Sequence, residues 1–239
     1  MSKITLDQIQ AQLAQSNWSL VSTEYKNLNS ELVVQCPEGH LVYSTWNKLR
    51  VKCECPVCKQ NKYKENTAVI RPRKAGVERI VALDQASRKT GFAIFDGNEL
   101  IHYGVFEAPD EDETARIHAV KIWLLSLIEN WKPSVLGIEA IQLEQKFGVT
   151  TFQTLARLQG VVLDLCYELQ LPVKVVHSNT WRSHCGVKGK SRTDRKKSMQ
   201  LLVKQWYDIT IGDDAADAIG IGKFVSETYH QQVSITDWE

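Results

Sequence analysis

Apolar positions along the chain fall into two different patterns. Residues 1–58 open with Thr5-Leu6-Asp7-Gln8, a capping-box arrangement, followed by Ile9 and Leu13 at helical spacing. The next apolar stretches, Trp18 to Tyr25 and Glu31 to Gln35, read as strands. From residue 79 onward, strands and helices alternate. Arg79 to Leu83 is a strand of the buried type, and Gly91 to Phe95 and Leu100 to Phe106 flank the hairpin signal Asp96-Gly97-Asn98. Ile117, Val120, Trp123, Leu124 and Leu127 lie on one stripe of a helix over 114–130. Val135 to Ile138 is a short apolar strand, 150–170 a long helix, Pro172 to Val176 a fifth strand, and 194–207 and 214–230 the last two helices. The order β-β-β-α-β-α-β-α-α predicts an α/β domain built on a mixed five-stranded sheet with helices on its faces.

Between the two patterns, residues 59–78 are polar, basic and broken by Pro72 and Gly76, the mark of a linker. The expected organisation is a small module over 1–58, the linker over 59–78, a larger domain over 79–232 and a short tail over 233–239. No run of 18 apolar residues occurs, and MSKITLDQIQ resembles neither a signal peptide nor an anchor, so a cytoplasmic protein is expected.

Charge alters this picture more than composition does. The net charge is +1, yet residues 59–79 carry seven Lys/Arg against two acids and residues 182–197 carry seven against one. Such concentrated cationic segments favour a polyanionic partner.

Four acids stand at three places, two strand ends and the last helix. Asp84 follows Ile80-Val81-Ala82-Leu83, Glu139 follows Val135-Leu136-Gly137-Ile138, and Asp214 and Asp217 share one face of the last helix. Singly, each is an ordinary strand-end or helix-start acid. Together, on neighbouring strands and a helix packed beside them, four carboxylates repel one another and call for cations, and an all-oxygen donor set suits Mg²⁺ or Mn²⁺.

Residues 80–95 (IVALDQASRKTGFAIF), VLGIEAI at 135–141, Ala156 to Val162 and GDDAADAIGIG at 212–222 resemble the RuvC family of Holliday junction resolvases, in the ribonuclease H-like superfamily. The likeness runs over residues 78–232. It implies a ribonuclease H-like fold, a homodimer, and Mg²⁺-dependent cutting of four-way DNA, with the family's four acids at Asp84, Glu139, Asp214 and Asp217. Asp84 is then expected to be shared by two ions, with Glu139 on one and Asp214 and Asp217 on the other. Arg182, Lys188, Lys190, Lys196 and Lys197 become DNA-contact candidates, Lys196 and Lys197 foremost because a helix start also offers free N–H groups.

The chain departs from the family pattern in places. Gln85-Ala86 stand where Pro-Gly is usual after the first acid, and Gln142 stands where an aromatic often meets the junction, leaving Phe147 as the candidate substitute. The competing readings are a nuclease of this fold acting on flaps, R-loops or transposon ends, and a non-catalytic zinc-containing DNA-binding protein. A sugar-kinase or actin-like ATPase also begins with a strand followed by Asp and, seven residues on, Gly, but it needs a second related domain and a nucleotide pocket for which this chain is too short.

The first 58 residues lie outside the resemblance. Cys36-Pro-Glu-Gly-His40 and Cys55-Pro-Val-Cys58 form C-x3-H and C-x2-C separated by 14 residues, the spacing of a closed tetrahedral zinc site. Cys53 is left spare. The module resembles the short zinc-ribbon or treble-clef units attached to some phage and mobile-element nucleases, and with few apolar residues it is expected to depend on its ion. Trp46, Lys48, Arg50 and Lys52, between the ligand pairs, make it a candidate DNA-binding accessory. His102, His118 and His177 read as ordinary histidines, Cys166 as a buried filler and Cys185 as a loop thiol.

Overall fold

The computed structural model describes residues 4–58, 72–73, 75–108, 112–142 and 148–232. The chain divides into two compact units, Met1–Tyr63 and Lys64–Glu239. Most of the expected linker, all of the C-terminal tail and Phe147 lie outside the described residues.

In the first unit, α1 (Leu6–Ala14) starts on the capping box of Thr5, whose hydroxyl accepts from the Gln8 N–H. The expected strand over Trp18 to Tyr25 is confined to β1 (Ser19–Leu20), which pairs antiparallel with β2 (Glu31–Gln35). A third strand, β3 (Leu41–Thr45), and a short helix, α2 (Trp46–Leu49), were not anticipated. Leu41, Tyr43 and Thr45 alternate with Val42 and Ser44 without a strong apolar face, so the period-2 signal is faint there. Ile9, Leu13, Trp18, Leu32, Val34, Val42, Trp46 and Leu49 bury together with Cys36 and Cys55. This core is larger than the composition led one to expect, and Trp46 belongs to it, so it is not an exposed DNA contact.

The second unit is a five-stranded sheet in the order β6-β5-β4-β7-β8. Its strands are β4 (Arg79–Asp84), β5 (Lys89–Asp96), β6 (Glu99–Glu107), β7 (Val135–Glu139) and β8 (Val173–Val176). The first three form an antiparallel meander, and β4, β7 and β8 run parallel. Strands β4 and β7 are buried along nearly their whole length, as a sheet covered on both faces requires. The helices are α3 (Glu113–Trp131), α4 (Gly148–Glu168), α5 (Ser178–Cys185), α6 (Arg192–Tyr207) and α7 (Asp213–Gln232).

One face packs Ile80, Ala82, Ala93 and Phe95 against α5, α6 and α7, with Trp181, Met199, Ile219 and Ile221 fully buried. On the opposite side the rings of Phe92 and Phe106 lie 5.4 and 4.8 Å from that of Trp123 on α3. At the far end of β4 from Asp84, the buried Arg79 donates to both carboxylate oxygens of Asp96 (2.6 and 2.7 Å) and to the Trp131 carbonyl, tying β4, β5 and the end of α3 together. This mixed, helix-flanked sheet is the fold class expected from the sequence. Helix α5 was missed, and Cys185, expected to be a loop thiol, ends that helix as a buried core residue. No helix among the described residues is long and apolar enough to cross a membrane.

Candidate active site and metal centre

Sheet register sets the first pair of acids. Leu83 pairs with Ile138 across the parallel β4–β7 ladder, so Asp84 and Glu139, the next residues, emerge side by side from adjacent strand ends. The third and fourth come from the first turns of α7. Asp84 is paired with Gly91 on β5, and a Cβ on Gly91 would lie 2.0 Å from the Asp214 carbonyl oxygen. Only glycine lets the start of α7 settle this close to the sheet, and Asp217 follows one turn later on the same face.

The four carboxyls feel one another. Burial pushes Asp84 well above the usual carboxylate range, and the charges of Asp217, Glu139 and Asp214 push it further. Burial also lifts Asp217 to about 6, with Arg182 opposing and Glu139 adding to the rise. Asp214 is raised by burial and by Asp213. Asp213 itself behaves oppositely: a hydrogen bond from Lys196 holds it below the usual range. Burial and neighbouring like charge together make ionisation of Asp84, Asp214 and Asp217 costly.

Of the expected DNA-contact residues, the structure brings Arg182 and Lys196 to the acids. Arg182 donates to Glu139 Oε2 at 3.3 Å, and Lys196 is paired with Asp213 while its charge acts on Asp84, Asp214 and Asp217. Lys197, one residue on, points about 100° around α6. It lines a surface hollow with Lys188, Asp194, Ser198 and Leu201. The Lys190 carbonyl accepts from Arg195. Sequence reasoning missed the residues that hold Glu139. Trp181 Nε1 donates to its Oε2 at 2.7 Å, and the side chains of Gln85 and Gln159 both donate to its main-chain carbonyl at 3.2 Å. Gln85 was noticed only as a departure in the turn; its Oε1 is buried with no partner among the described residues. His177 stands at the N-cap of α5, with Nδ1 3.3 Å from Gln142 Nε2.

In the first unit the ligand atoms of Cys36, His40, Cys55 and Cys58 all lie within 4.8 Å of one another. Cys36 Sγ and Cys58 Sγ are 3.7 Å apart, and His40 Nδ1 is 3.4 and 3.3 Å from them. A tetrahedron with metal–sulfur bonds of about 2.3 Å has edges of about 3.8 Å, close to the Cys36–Cys58 separation, so the four side chains could hold a metal ion. Burial would raise Cys36, but hydrogen bonds with His40, Cys58 and the Glu38 main chain together outweigh it and bring the thiol down to about 7. Burial and the neighbouring Cys55 and Cys36 push Cys58 up to about 12. Cys53 is outside the cluster, its thiol donating to the Leu49 carbonyl.

A ribonuclease H-like sheet with acids converging at the ends of its central strands defines the class. The family model of crossover junction endodeoxyribonuclease RuvC matches residues 80–223, and the chain belongs to that family. A RuvC from Thermomicrobium roseum is 26% identical over 147 residues, covering 60% of this chain and 89% of the relative. One from Akkermansia muciniphila is 26% identical over 151 residues, covering 60% and 87%. Among solved structures, Thermus thermophilus RuvC in complex with a Holliday junction substrate superposes with a TM-score of 0.54 at 14% identity, covering 64% of this chain and 96% of that one. A second Thermus thermophilus RuvC structure gives 0.51 at 16% identity, with the same coverage. At these identities the superpositions establish the fold.

Proposed function

We propose that the chain cuts four-way DNA junctions by metal-dependent phosphodiester hydrolysis, with Asp84, Glu139, Asp214 and Asp217 holding two divalent ions, Mg²⁺ or Mn²⁺. The observation that carries this reading is the convergence of the four acids, with raised proton affinity at Asp84, Asp214 and Asp217, on the part of the chain matched by the RuvC model. The donor set fits hard cations, being all carboxylate oxygen, and the unpartnered Gln85 Oε1 beside it offers an acceptor for a hydrating water. When bound, two such ions lower the pKa of the attacking water and neutralise charge on the leaving oxygen.

The protein's own groups do the rest. Arg182 and Lys196 stand beside the acids and supply positive charge where a scissile phosphate would approach; in the resting protein each is neutralised by a carboxylate, Glu139 and Asp213 respectively. Lys188, Lys190 and Lys197 are the candidates for flanking phosphate contacts, and Phe147, outside the described residues, is the sequence candidate for the aromatic that meets the junction. Contacts with four phosphates would make log K fall with log salt at a slope of roughly −3.6 on duplex arms. A four-way junction is approximately two-fold symmetric, so two incisions call for a homodimer with two such sites.

The N-terminal unit binds one structural zinc through Cys36, His40, Cys55 and Cys58, and Lys48, Arg50 and Lys52, all exposed, give it a basic edge for DNA. The test is incubation of the full chain with a labelled mobile four-way junction and Mg²⁺, alongside flaps and R-loops. Paired nicks in the junction with wild type and none with Asp217→Asn support the reading. Cutting confined to the other branched substrates, or an active Asp217→Asn, overturns it.

A further inference from the structure

Trp181 is fully buried, yet it touches two of the elements that carry the acids. Its indole N–H donates to Glu139 Oε2 at 2.7 Å, so it grips the acid on β7. Its ring edge also lies against Gly220 on α7: a Cβ there would come within 2.6 Å of Trp181 Cζ3. Gly220 is three residues beyond Asp217, on the same face of that helix. Arg182, the next residue, places its guanidinium 4.8 Å from the indole centroid and donates to the same Glu139 oxygen at 3.3 Å. The first turns of α5 therefore form a bracket, with a neutral and a charged donor on one carboxylate oxygen and the indole resting on the helix of Asp214 and Asp217.

From this juxtaposition we infer that Trp181 is a positioning residue for the metal centre: its N–H fixes the Glu139 carboxylate while its ring sets the spacing between β7 and α7. A core tryptophan needs only volume and an outlet for its N–H. This outlet is a carboxylate of the acid cluster, and a carboxylate free to rotate binds a cation less well than one already oriented. Partners of this kind, which touch a ligand and not the ion, are typically worth 10- to 100-fold in metal affinity or activity. The inference rests on the reading that the four acids hold divalent cations.

The experiment titrates Mg²⁺ into the full-length, zinc-loaded chain by calorimetry, comparing wild type, Trp181→Phe, Glu139→Gln and the double variant, with urea denaturation on each. Trp181→Phe should raise the half-saturating Mg²⁺ concentration at least 10-fold in the wild-type background and leave it unchanged in the Glu139→Gln background. Any loss of stability from the smaller ring should be the same in both. A purely space-filling tryptophan gives unchanged Mg²⁺ affinity, or an equal loss in both backgrounds, and overturns the inference.

If Trp181→Phe does not fold, the wild type still decides. Mg²⁺ should shift the Trp181 indole N–H resonance, and Glu139→Gln should move that resonance before any metal is added; an indole indifferent to both refutes the role. Absence of Mg²⁺ binding by wild type itself would instead indict the metal-site reading.

Discussion

Replacing Asp217 by Asn should stabilise the metal-free protein while it destroys cutting. Burial raises the Asp217 carboxyl from 3.8 to about 6. That is about two pH units, so ionising it in the folded state costs about 3 kcal/mol more than in the unfolded chain. The sign follows from proton counting. Below pH 3.8 the group is protonated in both states and contributes nothing. Between about 4 and 6 the folded protein keeps a proton that the unfolded chain has released, so stability falls as pH rises, and above 6 the full penalty remains. An amide in the same place carries no charge. For a unit of this size 1 kcal/mol shifts the melting temperature by about 2–4 °C, so Asp217→Asn should melt roughly 6–12 °C higher at pH 7.5 without added Mg²⁺. The gain should shrink towards zero at pH 4. The assay is a thermal melt of both proteins across pH 4–8, repeated with Mg²⁺, which should raise the wild type more than the variant. An unchanged or lower melting temperature at pH 7.5, or a gain that ignores pH, would refute the reasoning.

Other outcomes are equally definite. Gly91→Ala must displace the start of α7, because the new methyl would sit 2.0 Å from the Asp214 carbonyl; junction cutting should drop about 100-fold, as expected for a misplacement near 1 Å, and unchanged single-turnover rates would contradict that. Asp96→Ala strips the buried Arg79 of its carboxylate and should cost about 3–5 kcal/mol in urea denaturation, with the cluster around Asp84 at the far end of the strand untouched. Chelation or Cys36→Ser should expose residues 4–58 to protease while the second unit stays resistant, and elemental analysis of the native chain should return one zinc; a module equally resistant without metal would show that its own apolar core suffices.

The sheet was legible because its strands are buried on both faces. Ile80-Val81-Ala82-Leu83 and Val135-Leu136-Gly137-Ile138 are short apolar runs that fit little else, and the acids at their ends inherit the register. The Cys/His cluster of the first unit was legible as a group from spacing alone. Helix α5 was not: of the buried residues in SNTWRSHC only Trp181 and Cys185 are apolar, four residues apart, too short a stripe to stand out beside a basic run. Missing that helix hid Trp181, whose role depends on a tertiary contact with Glu139, 42 residues earlier. For the same reason Lys196 and Lys197 looked alike as sequence, although α6 turns only Lys196 toward the acids. Arg182, grouped with the basic loop, proved to be part of the bracket on Glu139. In the first unit β3 opens with three consecutive apolar residues, Leu41, Val42 and Tyr43, so no period-2 alternation marked it as a half-buried strand.

The central claim is that the acids at the ends of β4 and β7 and on α7 share divalent cations. Crystals of the full chain soaked in Mn²⁺, measured at the manganese edge, address it most directly. Anomalous density enclosed by Asp84, Glu139, Asp214 and Asp217 is the predicted result; the same density missing from this cluster, at Mn²⁺ concentrations that support cutting in solution, would contradict it.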